Sequence, residues 1–282
     1  MLFRSIDMSK VHKNAPIGLF DSGVGGLTVF NEILKQLPNE RVIYFGDTSR
    51  VPYGSKSKET IIKYCKQIVN FLLTKNVKAV VIACNTASAH SLEELQKEYD
   101  IPIVGVVIPG AKAAIASTVT KRIGVIATEG TVHSEIYAKV IHGLTPDAVV
   151  ISKPCPLFVP LVEEGWTKGT ATEEVVKRYL SEFEGENIDT LILGCTHFPL
   201  LRNTIKKVVG DRVKLINPAH ETAKILTEQL EANNILSDTP ANELKHEFYV
   251  SGNPEKFLNF CNTAAKLPFK VEKAIEVDIE LF

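Results

Sequence analysis

Two cysteines in this sequence share a setting: each ends an apolar segment and is followed at once by a polar residue. Cys84 ends VVIAC and precedes Asn85, and Cys195 ends LILGC and precedes Thr196. A thiol at the start of a helix has its pKa lowered toward neutrality by the helix dipole, so it supplies thiolate without a metal. Two such thiols facing one carbon can remove a proton from one side and return a proton to the other, which inverts a stereocentre.

The other three cysteines do not share this setting. Cys65 and Cys261 lie in helical runs, where a small apolar side chain fits a core position. Cys155 lies between two prolines, in a rigid turn open to exposure. The cysteines form no C-x-x-C pair and no compact group with histidine, which disfavours structural disulfides and a metal site. A redox disulfide between Cys84 and Cys195 is disfavoured for the same reason, since redox pairs usually have a close C-x-x-C partner.

Short apolar runs alternate with longer helical patterns along the chain. Such alternation is typical of βαβ units and of parallel sheets covered by helices on both faces, whose strands are nearly all apolar. The predicted fold class is therefore α/β, with doubly wound sheets. Strands are predicted at APIGLF, RVIYFGD, VKAVVIAC, IPIVGVV, KRIGVIAT, DAVVISK, IDTLILGC and VKLINP, and first-half helices near 26–37, 58–75, 86–98 and 109–118.

The two halves of the chain carry corresponding landmarks at nearly constant separation. IGLFDSG corresponds to IGVIATEG, and VVIPGAKAAI corresponds to LINPAHETAKIL. Between these two matches, Cys84 corresponds to Cys195. This order predicts an internal duplication that gives two similar α/β lobes, with the active site in the cleft between them. The alternative is that any chain of βαβ units looks loosely self-similar.

The corresponding prolines, Pro109 and Pro218, each open a predicted helix and mark where the chain changes lobes. If the first lobe takes up the tail, that lobe is discontinuous. It then comprises residues 1–108 and 219–282, and residues 109–218 form the second lobe. The segment 232–257 is predicted to be the loosest part of the chain, and the strand-like run KVEKAIEVDI follows it.

The composition excludes several classes of function. With 45% hydrophobic and 23% charged residues and a net charge of −1, the chain lacks the positive excess that nucleic-acid binding uses. Its first residues lack the apolar core of a signal peptide, and no stretch reaches the roughly 18 to 20 apolar residues of a membrane span. A cytoplasmic protein with no nucleic-acid or membrane partner is expected.

The loops that should follow the strands are rich in glycine and small hydroxyl residues and poor in basic ones. Ligands of open α/β sheets bind at strand ends, beside helix N-termini, so these loops favour a small amino acid or carboxylate. DSGVGGLT does not match G-x-G-x-x-G and no Walker lysine is present, which disfavours a nucleotide cofactor. The loops are DSGVGGLT (21–28), GDTSRVPYGSKS (46–57), CNTASA (84–89), ATEGTVHSE (127–135) and GCTHFP (194–199).

Five linked motifs lie in order between roughly residues 16 and 230. They are FDSGVGGLTV, YFGDTSRVPYGSKS, ACNTASA, PLFVPLVEEGW and DTLILGCTHFPLL. Together they resemble the glutamate racemases, which interconvert L-glutamate and D-glutamate for peptidoglycan synthesis without a cofactor. The resemblance implies glutamate as the small-molecule substrate, a homodimer, and no metal or pyridoxal phosphate. No recognisable lysine-centred site for pyridoxal phosphate is present.

The resemblance also implies a role for each matching residue. Cys84 is expected to act on the α-proton of D-glutamate and Cys195 on that of L-glutamate. Asp21, His197 and Glu163 are expected to assist, with Asp21 near the first thiol and Glu163 on the side of the second. The expected substrate-binding residues are Asp21, Ser22, Tyr53, Gly54, Asn85, Thr86, Thr196 and His197, of which Tyr53 and Gly54 match a carboxylate-binding pair.

Other interpretations stay open. By residue type alone, Asp21 fits a helix N-cap, His197 fits a capping role as well as a catalytic one, and Glu163 fits a surface carboxylate. A non-catalytic two-lobe protein would bind an acidic amino acid in the same cleft, although it has no use for matched thiols. A racemase or decarboxylase of another small diacid, such as aspartate, would use the same residues.

Overall fold

The computed structural model describes residues 12–282, in which two parallel β-sheets are covered by helices. The strands of the first sheet are β1 (Ile17–Asp21), β2 (Val42–Gly46), β3 (Ala79–Ile82), β4 (Ile103–Gly105), β9 (Glu247–Val250) and β10 (Ile275–Glu276). They lie in the order β10-β9-β2-β1-β3-β4, and every pairing is parallel.

The second sheet repeats the central part of the first. Its strands are β5 (Arg122–Ala127), β6 (Val149–Pro154), β7 (Thr190–Gly194) and β8 (Lys214–Ile216). They are parallel and lie in the order β6-β5-β7-β8. In both sheets the first strand lies between the second and the third, so the lobes share one topology. The predicted α/β class with two similar lobes is confirmed.

Helices connect the strands, as a parallel sheet requires. In the first half they are α1 (Leu27–Gln36), α2 (Lys58–Leu73), α3 (Asn85–Glu98) and α4 (Val107–Ser117). In the second half they are α5 (Glu129–His133), α6 (Ile136–Leu144), α7 (Phe158–Glu163), α8 (Thr170–Leu180), α9 (Arg202–Val209), α10 (Pro218–Ala232) and α11 (Pro254–Thr263). The four predicted first-half helices agree with α1 to α4 to within two residues at each end.

The apolar character of the strands follows from their position. Every residue of β1, β2 and β7 is buried, because helices cover both faces of the sheet there. The edge strands β6 and β10 differ, since neither has a fully buried residue.

The segment 232–257, predicted to be the loosest, is irregular from residue 233 to 246 apart from the 3₁₀ turn Ala241–Glu243. This segment contains β9, which pairs with β2 and extends the first sheet, and the beginning of α11. Its apolar run is only three residues long, Phe248 to Val250, and its polar surroundings resemble those of a loop. The strand-like run after it forms only the two residues of β10.

The chain passes between the two sheets at α4 and again at α10. These helices pack so closely that a Cβ on Gly110 would lie 2.9 Å from Cγ of Pro218. Strands β9 and β10, which follow α10, belong to the first sheet. The lobe boundaries at residues 108/109 and 218/219 stay predictions.

All five cysteines are unpaired and buried. Cys65 and Cys261 lie in the core, at 0% and 2% exposure. The expectation that Cys155 is open to exposure is wrong, because its side chain is fully buried. The reason is that Pro154 ends β6, and the backbone N–H of Cys155 donates to the carbonyl of Ala127 at 2.9 Å, which folds the turn onto the sheet.

Candidate active site

The two candidate thiols lie at equivalent positions in the two sheets. In an open α/β sheet, ligands bind where connections leave adjacent strands toward opposite faces, at the carboxyl ends of the strands. In the first sheet these strands are β1, which ends at Asp21, and β3, which is followed by Cys84. In the second sheet they are β5, followed by Thr128, and β7, followed directly by Cys195.

Cys84 is the N-cap of α3, and its sulfur accepts from the backbone N–H of Ala87 at 3.5 Å. Burial, and after it the charge of Asp21, raise the pKa of the Cys84 thiol to about 12. Hydrogen bonds from Ser22 and from the Ala87 N–H lower this pKa but do not outweigh burial. The expectation that the helix N-terminus lowers the pKa of Cys84 is therefore wrong for this closed, buried site.

Cys195 begins a short chain of polar groups in the second lobe. Its sulfur lies 3.8 Å from Nδ1 of His197, whose Nε2 lies 3.2 Å from Oε1 of Glu163. Burial alone would lower the pKa of His197, but hydrogen bonds to Cys195 and Glu163 and nearby negative charges raise it to about 10. The hydrogen bond from His197 in turn lowers the pKa of Glu163, whose side chain is 34% exposed.

Asp21 connects the two lobes. Its Oδ2 accepts from the backbone N–H of Gly23 at 2.9 Å, and its Oδ1 accepts from the Thr196 hydroxyl at 3.4 Å. Burial raises the pKa of Asp21, and the nearby His197 opposes that shift. Asp21 therefore accepts from N–H groups of the turn before α1 and also lies beside Cys84.

Asn85 and Thr86 also bond to the second lobe. The hydroxyl of Tyr137 donates to Oδ1 of Asn85 at 2.7 Å. The hydroxyl oxygen of Thr86 lies 2.9 Å from that of Thr128 and 3.0 Å from that of Thr131. These contacts join α3 to residues after β5, so the two lobes meet through neutral polar groups beside the thiols.

Tyr53 and Gly54 lie on the loop between β2 and α2. The Tyr53 side chain is buried, and its hydroxyl donates to the carboxylate of Asp47. Gly54 faces the second lobe, where a Cβ on Gly130 would lie 2.6 Å from the Gly54 carbonyl oxygen. The expected carboxylate-binding pair therefore has its backbone at the cleft and its aromatic ring in the first lobe.

The cleft is closed around these groups. Cys84 and Cys195 are each only 7% exposed. A cavity of about 10 Å³ lies beside Cys195 and Asn85, room for about one water. On the first lobe, Gly25 lies against Thr196 and His197, and a side chain at that position would collide with both.

Comparison with known proteins identifies the family. The model of the Asp/Glu/Hydantoin racemase family matches residues 17–226, which is more than half of the chain. The chain belongs to this racemase family. It is 50% identical over 246 residues to the glutamate racemase of Geobacter metallireducens, covering 87% of this chain and 91% of the relative.

Solved racemases have the same fold. The glutamate racemase isoform RacE1 of Bacillus anthracis is 42% identical, with a TM-score of 0.90, covering 95% of this chain and 98% of that one. The glutamate racemase of Francisella tularensis, solved with D-glutamate, is 40% identical, with a TM-score of 0.88, covering 96% and 100%. Like other racemases, the chain is an isomerase.

The structure of this racemase brings the candidate residues together on both sides of the cleft. Sequence reasoning did not single out Tyr137, Thr128 or Thr131. The two threonines belong to the loop ATEGTVHSE, which was singled out only for its small hydroxyl residues. Tyr137 carries no signal in the sequence, because its partner Asn85 lies in the other lobe.

Two further features of this racemase concern metals and membranes. Among residues 12–282, no three His, Cys, Asp or Glu side chains converge as a metal site would require. None of the helices in the described part combines the length and apolar character of a membrane span.

Glu163→Gln is expected to lower the pKa of His197 from its value of about 10, because the variant keeps an acceptor but removes the negative charge. The folded pKa lies above the ordinary 6.5, so the stabilisation from protonated His197 is full below pH 6.5 and is lost as pH rises toward 10. In the variant this stabilisation is lost completely at a lower pH than in the wild type. NMR titration of the imidazole measures the shift.

The matched control is Glu164→Gln, which removes the neighbouring exposed carboxylate. It should leave the His197 titration unchanged. An unchanged His197 titration in Glu163→Gln would mean that this carboxylate does not act on the imidazole.

Proposed function

We propose that this chain interconverts L-glutamate and D-glutamate, with Cys84 and Cys195 as the two proton-transferring groups. The observation that carries the proposal is the pair of thiols at equivalent ends of β3 and β7, on the two sides of one closed cleft. The high identity to proteins named glutamate racemase supports the choice of glutamate. The relative from Francisella tularensis was solved with D-glutamate, one of the two proposed substrates.

In the proposed reaction, the Cys84 thiolate takes the α-proton of D-glutamate. The electron pair of the broken C–H bond stays on the α-carbon and spreads into the α-carboxylate. The Cys195 thiol then gives its proton to the opposite face, which yields L-glutamate, a Cys84 thiol and a Cys195 thiolate. The reverse reaction starts from that state, so the same two sulfurs serve both directions.

The raised pKa of Cys84 bears on the central difficulty of this reaction, which is that an α-proton is far less acidic than a thiol. Each pKa unit of mismatch amounts to about 1.4 kcal/mol. Burial and the Asp21 charge raise the pKa of Cys84 to about 12, which narrows the mismatch by making its thiolate a stronger base. The same shift makes the thiolate scarcer near neutral pH.

Neutral donors around the thiols supply the remaining stabilisation in this proposal. Ser22, Asn85, Thr86 and Thr196 carry hydroxyl or amide groups at the cleft, and the backbone of the loop at Gly54 reaches it. Donors fixed in advance stabilise charge that develops on a carboxylate. Closure of the lobes around them keeps bulk water from the reacting carbon.

The proposal extends to the setting of the reaction. The chemistry uses no cofactor, because both bases and all donors come from the chain. By resemblance to the glutamate racemases, we propose a cytoplasmic homodimer whose D-glutamate serves peptidoglycan synthesis and cell-wall formation.

The deciding experiment is incorporation of solvent deuterium at the α-carbon of each enantiomer of glutamate. Wild-type protein in heavy water should convert either enantiomer to a racemic mixture that carries α-deuterium. Aspartate is assayed in parallel. Binding of glutamate without exchange would indicate a binding protein instead, and faster exchange of aspartate would indicate a racemase of another diacid.

A further inference from the structure

The racemase family model ends at residue 226, but the chain beyond it returns to the proposed substrate site. Two parts of this later segment contact residues 47–55, which we call the cleft loop. Ser251 follows β9, and Glu280 lies in the 3₁₀ turn Ile279–Leu281. The cleft loop includes Tyr53 and Gly54, and its Gly54 backbone meets the second lobe.

Asp47 is the centre of the contacts that hold the cleft loop. Its side chain is fully buried. Nε of Arg50 donates to its two carboxylate oxygens at 2.9 and 2.8 Å, and the hydroxyl of Ser251 donates to Oδ1 at 2.7 Å. The hydroxyl of Tyr53 donates to Oδ2. A buried carboxylate needs such partners, so the direction of Asp47 is set by all three donors together.

Arg50 connects Asp47 to residues outside the cleft loop. Its guanidinium lies 3.9 Å from the centre of the Tyr64 ring, which fixes its plane. Its Nη1 donates to Gln67 at 2.6 Å and to Oε1 of Glu280 at 3.0 Å. Gln67 also donates to Oε2 of Glu280, at 3.2 Å. The carboxylate of Glu280, which lies beyond the matched family region, therefore binds both Arg50 and Gln67.

Ser251 holds the other side of the cleft loop. Its hydroxyl oxygen accepts from the backbone N–H of Ser49 at 3.1 Å and lies 2.8 Å from the Ser49 hydroxyl oxygen. The next residue, Gly252, packs against Thr48 and Ser49. The two residues after β9 thus fix the first half of the loop through backbone as well as side-chain contacts.

We infer that Ser251 and Glu280, acting through Asp47 and Arg50, are positioning residues that set where Gly54 meets the substrate. The inference rests on the proposed function, in which the cleft loop holds a carboxylate of glutamate. None of the four residues needs to touch substrate. Their contacts fix Asp47, which accepts from the Tyr53 hydroxyl, and Gly54 is the next residue in the chain.

The test is Arg50→Lys, which keeps the charge but loses the planar fork that binds Asp47, Gln67 and Glu280 together. We expect KM for both enantiomers of glutamate to rise by about tenfold with kcat changed by less than about threefold, because the loop contributes binding that is alike in substrate and transition state. The matched control is Arg122→Lys, whose guanidinium also binds a carboxylate and a carbonyl, both of Glu186, at the opposite end of its strand from the cleft.

Steady-state kinetics and thermal unfolding, each with and without glutamate, are measured on both variants. A selective rise of KM in Arg50→Lys supports the inference. A wild-type KM in a folded Arg50→Lys protein, or an equal rise in both variants, overturns it. If Arg50→Lys does not fold, the double variant Ser251→Ala/Glu280→Gln decides by the same criterion, since it removes only partly exposed contacts. Absence of glutamate racemisation in the wild type would instead overturn the proposed function.

Discussion

Replacing Cys84 or Cys195 by alanine is expected to lower kcat/KM for glutamate racemisation by about 10²- to 10⁴-fold, the usual contribution of a positioned acid or base. In the proposed mechanism each thiol serves one face of the α-carbon, so neither can replace the other. The optical rotation of each enantiomer, followed to equilibrium, measures the loss. Turnover near the wild-type rate in either variant would contradict the two-thiol mechanism.

The control for these variants is Cys65→Ala, which removes a fully buried thiol of the first lobe that has no equivalent in the second. It should reduce folding stability by roughly 1 kcal/mol and leave the kinetics unchanged. Deuterium incorporation gives a finer test of the assigned faces. With Cys84 removed, Cys195 should still exchange the α-hydrogen of L-glutamate without racemising it. With Cys195 removed, only D-glutamate should exchange its α-hydrogen.

Gly130→Ala is expected to lower kcat/KM by about 100-fold, because correct placement of reacting groups depends on about an ångström. A Cβ at this position would lie 2.6 Å from the Gly54 carbonyl oxygen and 3.0 Å from its Cα. Those atoms are backbone and cannot rotate away, so the lobes must move apart. Kinetics with both enantiomers measure the effect.

The control is Gly143→Ala, a substitution of the same kind in α6, where a Cβ meets nothing within 4 Å. Alanine favours a helix over glycine by up to about 1 kcal/mol, so this variant should unfold at the same or higher temperature with unchanged kinetics. Since Gly130 lies in α5, alanine there should not weaken the helix either. Full activity of Gly130→Ala would mean that the lobes need not approach this closely.

The parts of the fold that depend on local patterns could be predicted from the sequence. Fully buried strands such as β1 and β7 are continuous apolar runs, and the repeated landmarks predicted two lobes with one topology. The same repeat placed Cys84 and Cys195 at equivalent strand ends. By contrast, β9 is short and lies among polar residues, so its pairing with β2 had no signal in the sequence.

The site was harder to predict where contacts cross between the lobes or where opposing effects compete. The bond between Tyr137 and Asn85 depends on how the two lobes pack. The pKa of Cys84 depends on whether burial or the helix N-terminus dominates, and burial does. Cys155 shows the same limit, since its neighbouring prolines indicate a turn but not which surface covers it.

The small exposure of the two cysteines limits how substrate enters the site and how product leaves it. Each of the two cysteines is only 7% exposed, so glutamate must enter and leave through a more open arrangement of the lobes than this one. Every turnover then includes an opening and a closing beside the chemical step. Where such opening is slow, it limits kcat. The value of kcat then depends more on solvent viscosity than on whether hydrogen or deuterium is transferred.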